Sequence, residues 1–324
     1  MNALSRRSFL AAGLSLPALG RAQDGRPLRL IVASAAGANA DVVARMVAAE
    51  AEPVMGRRII IENLPAASGM RAVEAVARAQ PDGETLLFGT ISQLVMNIAI
   101  FDPLPVDVAR ALRGLSMINL VPMALVVSPH ATATDLQGFI AQQRAGGRAE
   151  YGSGPVGTTT HVVGARFATE AGIARPDLVH VPYNSSALAL TDVMAGRLTF
   201  MFDALLTALP HHRDRRARIL GVAAQRRLPA APDIPTLDEA GLPGFTGYTW
   251  NSIAAPSGMP EATVQRLAEG FNMTLRRPGL RERLAMMGSE LPDEPWTTAE
   301  VDAFYAAERQ RWIPVVRATG LRPG

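Results

Sequence analysis

The chain has 324 residues, is 48% hydrophobic and carries a formal net charge of +3, enough apolar material for two cores and too little excess base for nucleic-acid binding. All 32 basic residues are arginine and there is no cysteine, which excludes Schiff-base lysine chemistry, thiol catalysis, disulfides and Cys-ligated metals. The five histidines lack zinc spacing, since His211 and His212 diverge on a helix and no H-E-x-x-H occurs.

The N-terminus reads as an export signal over residues 1–22. Ser5-Arg6-Arg7-Ser8-Phe9-Leu10 is a twin-arginine pattern, residues 10–19 are a short apolar run, and Gly20-Arg21-Ala22 offers a small-residue cleavage site. The run is too short to span a membrane. This predicts a soluble periplasmic protein whose mature part suits two domains.

Residues 28–32 are a predicted strand. The loop 33–38 follows, and Asn39 is placed as the N-cap of a helix to about Ala51, with Val42, Val43, Met46 and Val47 on its apolar face. A strand at 58–62, a helix at 70–79 and a strand at 85–88 complete a β-α-β-α-β order, which implies a parallel sheet with ligands beyond the carboxyl ends of its strands. Residues 123–127 are read as a strand crossing into a second domain, followed by a helix at 134–144. Strands at 178–181, 198–202 and 218–223 come next, with a helix between the first two ending at Gly196. The Pro- and Gly-rich segment 228–245 is read as a loop carrying a short helix. Residues 250–255 return to the first domain, and helices near 261–276, 280–287 and 297–318 finish the chain. The division is therefore 23–123 plus 251–324 against 124–250: two α/β halves, two crossings and a hinged cleft.

The richest stretch is residues 151–164, YGSGPVGTTTHVVG. Glycines and Pro155 shape a turn, and Thr158 to Thr160 sit at the start of a helix whose free N–H groups suit an anion. An ordinary strand-to-helix turn has the same local features. Gly152-x-Gly154-x-x-Gly157 matches the letters of a dinucleotide fingerprint, but Asp177 precedes the next apolar run and so cannot reach a ribose. No lysine follows for a P-loop, and G-x-S-x-G is missing.

The candidate ligand contacts are Ser153, Gly157, Thr158 and Thr159 on this side. Facing them are Gly37, Ala38 and Asn39, with Thr90 and Ser92 beyond the third strand. Tyr183 and Asn184 are further contacts, and Asp203 either receives an amino or hydroxyl group or is structural. Asp41 is expected to bond first-turn amides, because an acid repels an anionic ligand. His161 is expected to pack inside its helix. Three functions remain open on the residues: a solute-binding protein, a secreted hydrolase using Ser153 and His161, and an adaptor that has lost its ligand. No catalytic residue, metal or cofactor is assigned.

The matching pieces Arg26-Pro27-Leu28-Arg29-Leu30-Ile31-Val32, Asp41-Val42-Val43-Ala44-Arg45, Pro81-Asp82-Gly83, Tyr151-Gly152-Ser153, Val181-Pro182-Tyr183, Met201-Phe202-Asp203 and Pro232-Asp233-Ile234-Pro235-Thr236 occur in order along the chain. On these the sequence resembles the Bug-type substrate-binding proteins of tripartite tricarboxylate transporters. The resemblance implies a type II periplasmic binding protein fold with Venus-flytrap closure. It also implies capture of a small organic acid, often a dicarboxylate, by backbone N–H groups, hydroxyls and water. The implied partner is a two-subunit membrane transporter or a sensor, and the implied state a monomer. The chain departs from the family pattern at Ala33-Ser34, where Pro-Phe is usual, at Ala38, where glycine is usual, and at Pro65-Ala66-Ala67-Ser68-Gly69, where a Gly-rich turn is usual.

Overall fold

The computed structural model describes residues 26–146, 149–174 and 176–318; the expected export signal lies outside the described residues. Strand β1 (Leu28–Val32), helix α1 (Asn39–Met55), β2 (Ile59–Asn63), α2 (Met70–Ala77) and β3 (Thr85–Thr90) wind as the sequence predicts, and β1 pairs in parallel with both β2 and β3. A π-helical segment, Ser92–Met96, leads into the short helices α3 (Asn97–Ile100) and α4 (Val108–Ala111).

Strand β4 runs over Leu112–Val127, far longer than the 123–127 predicted. Nearly all of it is buried, so it lacks the alternation that marks a half-buried strand. Register shifts between Gly114 and Ser116 and between Met117 and Asn119 blur it further. Its first part pairs antiparallel with β9 (Tyr248–Pro256), ending at Pro122. From Met123 to Val127 it pairs with β7 (Phe200–Ala204). Proline has no N–H to give a ladder, and Pro122 stands where the strand changes partner.

The second half repeats the winding of the first. Helix α5 (Leu136–Arg144), capped by Asp135 accepting from the Gly138 amide at 2.7 Å, precedes β5 (Ala149–Ser153), α6 (Thr159–Glu170), β6 (Leu178–Pro182) and α7 (Ser186–Met194). Strand β7 pairs in parallel with β5, and β5 with β6. Helix α8 (Leu205–Arg213) leads to β8 (Arg218–Val222), which lies antiparallel on the far side of β4. One half thus reads β2-β1-β3-β9-β4 and the other β6-β5-β7-β4-β8, each with one crossing strand inserted antiparallel beside the last.

No helix forms between residues 228 and 247. Thr236 and Glu239 make reciprocal cap bonds, Thr236 N to Glu239 Oε2 at 2.9 Å and Glu239 N to Thr236 Oγ1 at 3.0 Å. Gly241, at φ +98°, ends the structure after that single turn. The chain closes with α9 (Glu261–Leu275), α10 (Pro278–Met286) and α11 (Thr298–Ala318). Helix α11 is fastened to the returning strand: Tyr305 stacks on Trp250, its hydroxyl lies 2.6 Å from Ser252 Oγ, and Trp250 Nε1 donates to Glu308 at 3.0 Å. Among the described residues no helix is long and apolar enough to cross a membrane.

Candidate functional site

A cavity lies between the two halves, with ≈ 80 Å³ open to the centres of water-sized spheres. One water needs about 10–15 Å³ by that measure, so the space suits several waters or one small ligand. Of the residues predicted to bind, Ala38, Asn39, Thr90, Ser92, Thr158, Thr159, Asn184 and Asp203 line it. Gly37, Ser153, Gly157 and Tyr183 do not.

On the first half the sequence reading is off by one residue, with consequences. Ala38, not Asn39, is the N-cap of α1, and no side chain caps it. The Asn39 side chain instead donates from Nδ2 to Asn251 Oδ1 at 3.2 Å. Asn251 donates to Asn119 at 2.7 Å, and Asn119 to Ser289 at 2.9 Å, so a chain of buried amides crosses both long strands. Asn39 Oδ1 is left buried and without a partner, as is Ser34 Oγ. Gly37 sits at φ +79° and gives its amide to Asp41 Oδ2 at 2.9 Å, so it has no N–H to offer a ligand. Burial alone would raise the Asp41 carboxyl, but bonds from Arg45, Gly37 and Asn63 hold it below the usual carboxylate range. Asp41 is therefore structural, as the sequence suggests, but it holds the loop amide of Gly37 and the side chains of Arg45 and Asn63, not the first-turn amides expected.

At the end of β3, Thr90 gives its proton to Gln93 Oε1 at 2.9 Å and accepts from the Ser92 amide. Gln93, which the sequence reading missed, also accepts the Thr90 amide and donates to Ala33 O and Ser68 O. Its signal was a lone amide inside the apolar run 91–96. Three hydrogen bonds join the halves across the cavity: Ser92 Oγ accepts the Thr159 amide at 3.1 Å and lies 3.2 Å from Thr159 Oγ1, and Ser68 Oγ donates to Val156 O at 2.7 Å. Ser68 and Ala67 hold φ of 54° and 51°, a region that non-glycine residues seldom occupy.

On the second half the predicted hydroxyl donors are already committed. Ser153 is fully buried and donates to Gly154 O at 2.6 Å. A hydroxyl has one proton, so the His180 Nε2 that lies 2.7 Å away donates to Ser153. Thr158 donates to Pro155 O at 2.7 Å, which makes Thr160 the donor in the 2.9 Å Thr160–Thr158 contact. Thr160 also accepts the Gly154 amide. Gly157, at φ +83°, gives its amide to His161 Nδ1, and a Cβ there would meet Ile100 at 2.6 Å and Asn97 at 2.8 Å. His161 and His180 stack at 3.8 Å between centroids and 5° between planes, with Tyr151 over His180 at 4.7 Å. Burial pushes His161 down to about 3, helped by its neighbour His180, and His180 down to about 4. Both rings are neutral, and Ser153 bonds to His180, not to His161 as the hydrolase reading requires.

Tyr183 turns away, donating to Asp192 at 2.6 Å, and that bond pushes its phenol up to about 12. Ser185 caps α7 by accepting the Ala187 amide at 3.3 Å. Asp203 lies within β7, not beyond its end. Its carboxylate accepts from Thr207 at 2.7 Å and is bonded by the Ala204 amide and Ser186; burial outweighs these bonds and pushes it up to about 6.

The starts of α1, α6 and α7 thus meet at one cavity. First-turn N–H groups have no partner four residues back, and each helix start carries partial positive charge. No arginine or histidine is among the described residues lining the space. Helix starts of this kind bind anions through their amides, without the desolvation cost of a buried ion pair.

Known proteins share this architecture. MatC from Rhodopseudomonas palustris, solved with bound malate, superposes with a TM-score of 0.83 at 27% identity, covering 90% of this chain and 99% of that one. Rpa4515 from the same organism, solved with adipate, gives 0.84 at 28% identity, covering 91% and 98%. A UPF0065 protein of Bordetella bronchiseptica is 30% identical over 99% of this chain and 95% of its own length. Protein BugT of Bordetella pertussis is 28% identical over 97% and 96%. The profile of the tripartite tricarboxylate transporter family receptor matches residues 43–321. The chain therefore belongs to the tripartite tricarboxylate transporter receptor family, the Bug-type solute-binding receptors, which is not an enzyme class.

Proposed function

We propose that this protein captures a small organic carboxylate, with a dicarboxylate the expected class, in the cleft between its halves and delivers it to a membrane transporter of two integral subunits. The observation that carries the reading is the meeting of three helix starts at one small cavity with no cationic side chain. The malate and adipate held by MatC and Rpa4515 support it. The described residues of 23–123 and 251–324 form one lobe and those of 124–250 the other, hinged at the long strands β4 and β9. The protein acts as a monomer in the periplasm, exported by the twin-arginine route.

Ligand is held by the first-turn amides of α1 and of α6, except that of Thr159, which Ser92 Oγ takes, with Ala38, Asn39, the Thr159 side chain and Asn184 around it. Ser153, Gly157 and Tyr183 act from behind, by fixing the loops. A thermal-shift screen of C3–C8 mono- and dicarboxylates tests this. Ligand at about 1,000 times its dissociation constant adds roughly 4 kcal/mol, a rise of several degrees in melting temperature. No shift across the panel from a folded protein overturns the reading in favour of an adaptor.

A further inference from the structure

The cavity has an acid in its wall, and an anion site has no evident use for one. Asp203 is 1% exposed, lines the space and is the only ionisable group among the described residues that do so. It is not there to pair with a base: the groups bonded to it are Thr207, Ala204 and Ser186, all neutral. A carboxylate offers about four acceptor directions, and three donors leave one of them open. From the other half comes a second acceptor, Asn39 Oδ1, in a residue only 8% exposed, with its Nδ2 already given to Asn251. Ser34 Oγ, also unpartnered, lines the same space at a position that departs from the family pattern.

These groups place a demand on the ligand. Its carboxylate takes the helix-start amides. A bare methylene beside that carboxylate leaves buried acceptors unpaired and two like charges close together in a poorly solvated space. An ammonium group neutralises Asp203 and donates to it, and a hydroxyl donates without neutralising. A site that offers hydrogen bonds to a polar substituent rejects the analogue lacking it far more strongly than a greasy pocket rejects one methylene.

We propose that Asp203 and the Asn39 carbonyl oxygen make this cavity selective for acids that bring a hydrogen-bond donor of their own, an ammonium or hydroxyl group beside the carboxylate, over unsubstituted acids of the same carbon skeleton. The proposal rests on the carboxylate reading above and names its substrate class. Free Asp203 keeps one acceptor direction open until such a donor arrives, and closure around the correct ligand completes its bonding.

Calorimetric titration of the purified protein with matched sets tests it: propionate, lactate and alanine; succinate, malate and aspartate; glutarate, 2-hydroxyglutarate and glutamate; adipate, 2-hydroxyadipate and 2-aminoadipate. Within the skeleton that binds, the donor-bearing acids bind at least about 10-fold tighter than the unsubstituted one, the ratio one charge-assisted hydrogen bond supplies. In Asp203→Asn the amino acid loses that advantage while the unsubstituted acid binds as well as before or better. If that variant does not fold, Asn39→Ala reads the same loss from the opposite wall. Equal affinity across a skeleton, or tighter binding of the unsubstituted acid, overturns the proposal and leaves carboxylate capture intact. Failure of every acid to bind overturns both.

Discussion

The two loops that face each other across the cavity look unequal in sequence, and their chemistry is unequal in the opposite sense. The second-half loop, residues 153–160, carries four hydroxyls, yet Ser153, Thr158 and Thr160 give their protons to Gly154 O, Pro155 O and Thr158. The first-half loop, residues 33–39, carries one hydroxyl and one amide, and both Ser34 Oγ and Asn39 Oδ1 are left without partners. A hydroxyl-rich turn holds itself in shape; the poorer loop keeps groups free. Donor count in a sequence therefore measures what a loop needs to fold before it measures what it can offer a ligand.

Acid is the strongest way to break the scaffold side of this comparison. His161 and His180 have folded-state values of about 3 and about 4, below the ordinary 6.5. The unfolded chain therefore binds more protons between those values and 6.5, and stability is full above about 6.5 and lost as pH falls toward 4. Asp203, raised to about 6, acts in the opposite sense, with stability falling as pH rises from about 4 to 6. Two imidazoles outweigh one carboxyl, so the melting temperature is expected to drop by several degrees between pH 6.5 and pH 4. A flat or rising profile contradicts the stacked neutral pair, and His161→Gln reduces the slope.

Gly157→Ala attacks the same loop through its backbone. It forces a side chain into φ +83° and toward Ile100 and Asn97. The expected cost is about 2–4 kcal/mol in chemical unfolding, with weaker ligand binding because the loop no longer reaches the first half. A variant as stable as the parent would mean that this close approach is not needed.

The smallest effects separate the two loops most clearly. Ser153→Ala leaves the half-buried His180 N–H without its acceptor and costs about 1–2 kcal/mol of stability, with ligand affinity nearly unchanged. Ser34→Ala removes a hydroxyl that bonds to nothing in the protein, so stability stays within about 0.5 kcal/mol while ligand affinity falls. The reverse pattern, with Ser153 governing affinity and Ser34 governing stability, would return the ligand contacts to the hydroxyl-rich loop. Unfolding curves and titrations on the same two variants decide it.

The elements that were legible from sequence are those with local causes. The β-α-β-α-β winding of residues 28–90 follows from apolar periodicity and from Gly-Pro punctuation, and the threonine run does begin a helix at Thr159. Eight of the twelve nominated residues line the cavity, because strand ends and helix starts gather there in any sheet of this kind. Less legible were the features set by distant partners. Strand β4 hid its first eleven residues because burial on both faces erases alternation. Gln93 looked like a lone amide beside Ser92 in a largely apolar run, and only its four bonds to β3 and two loops give it a role.

The sequence by itself determined the winding, the helix starts and the family, since these depend on residues near one another along the chain. Tertiary structure decided which polar groups remain free. Asn39 turns from the expected cap to Asn251, 212 residues away, and Ser153 is claimed by His180 from the neighbouring strand. A hydroxyl has a single proton and an amide two, so a group's availability to a ligand is whatever its neighbours in space leave over. Composition records the donors and acceptors; only the fold says which are already taken.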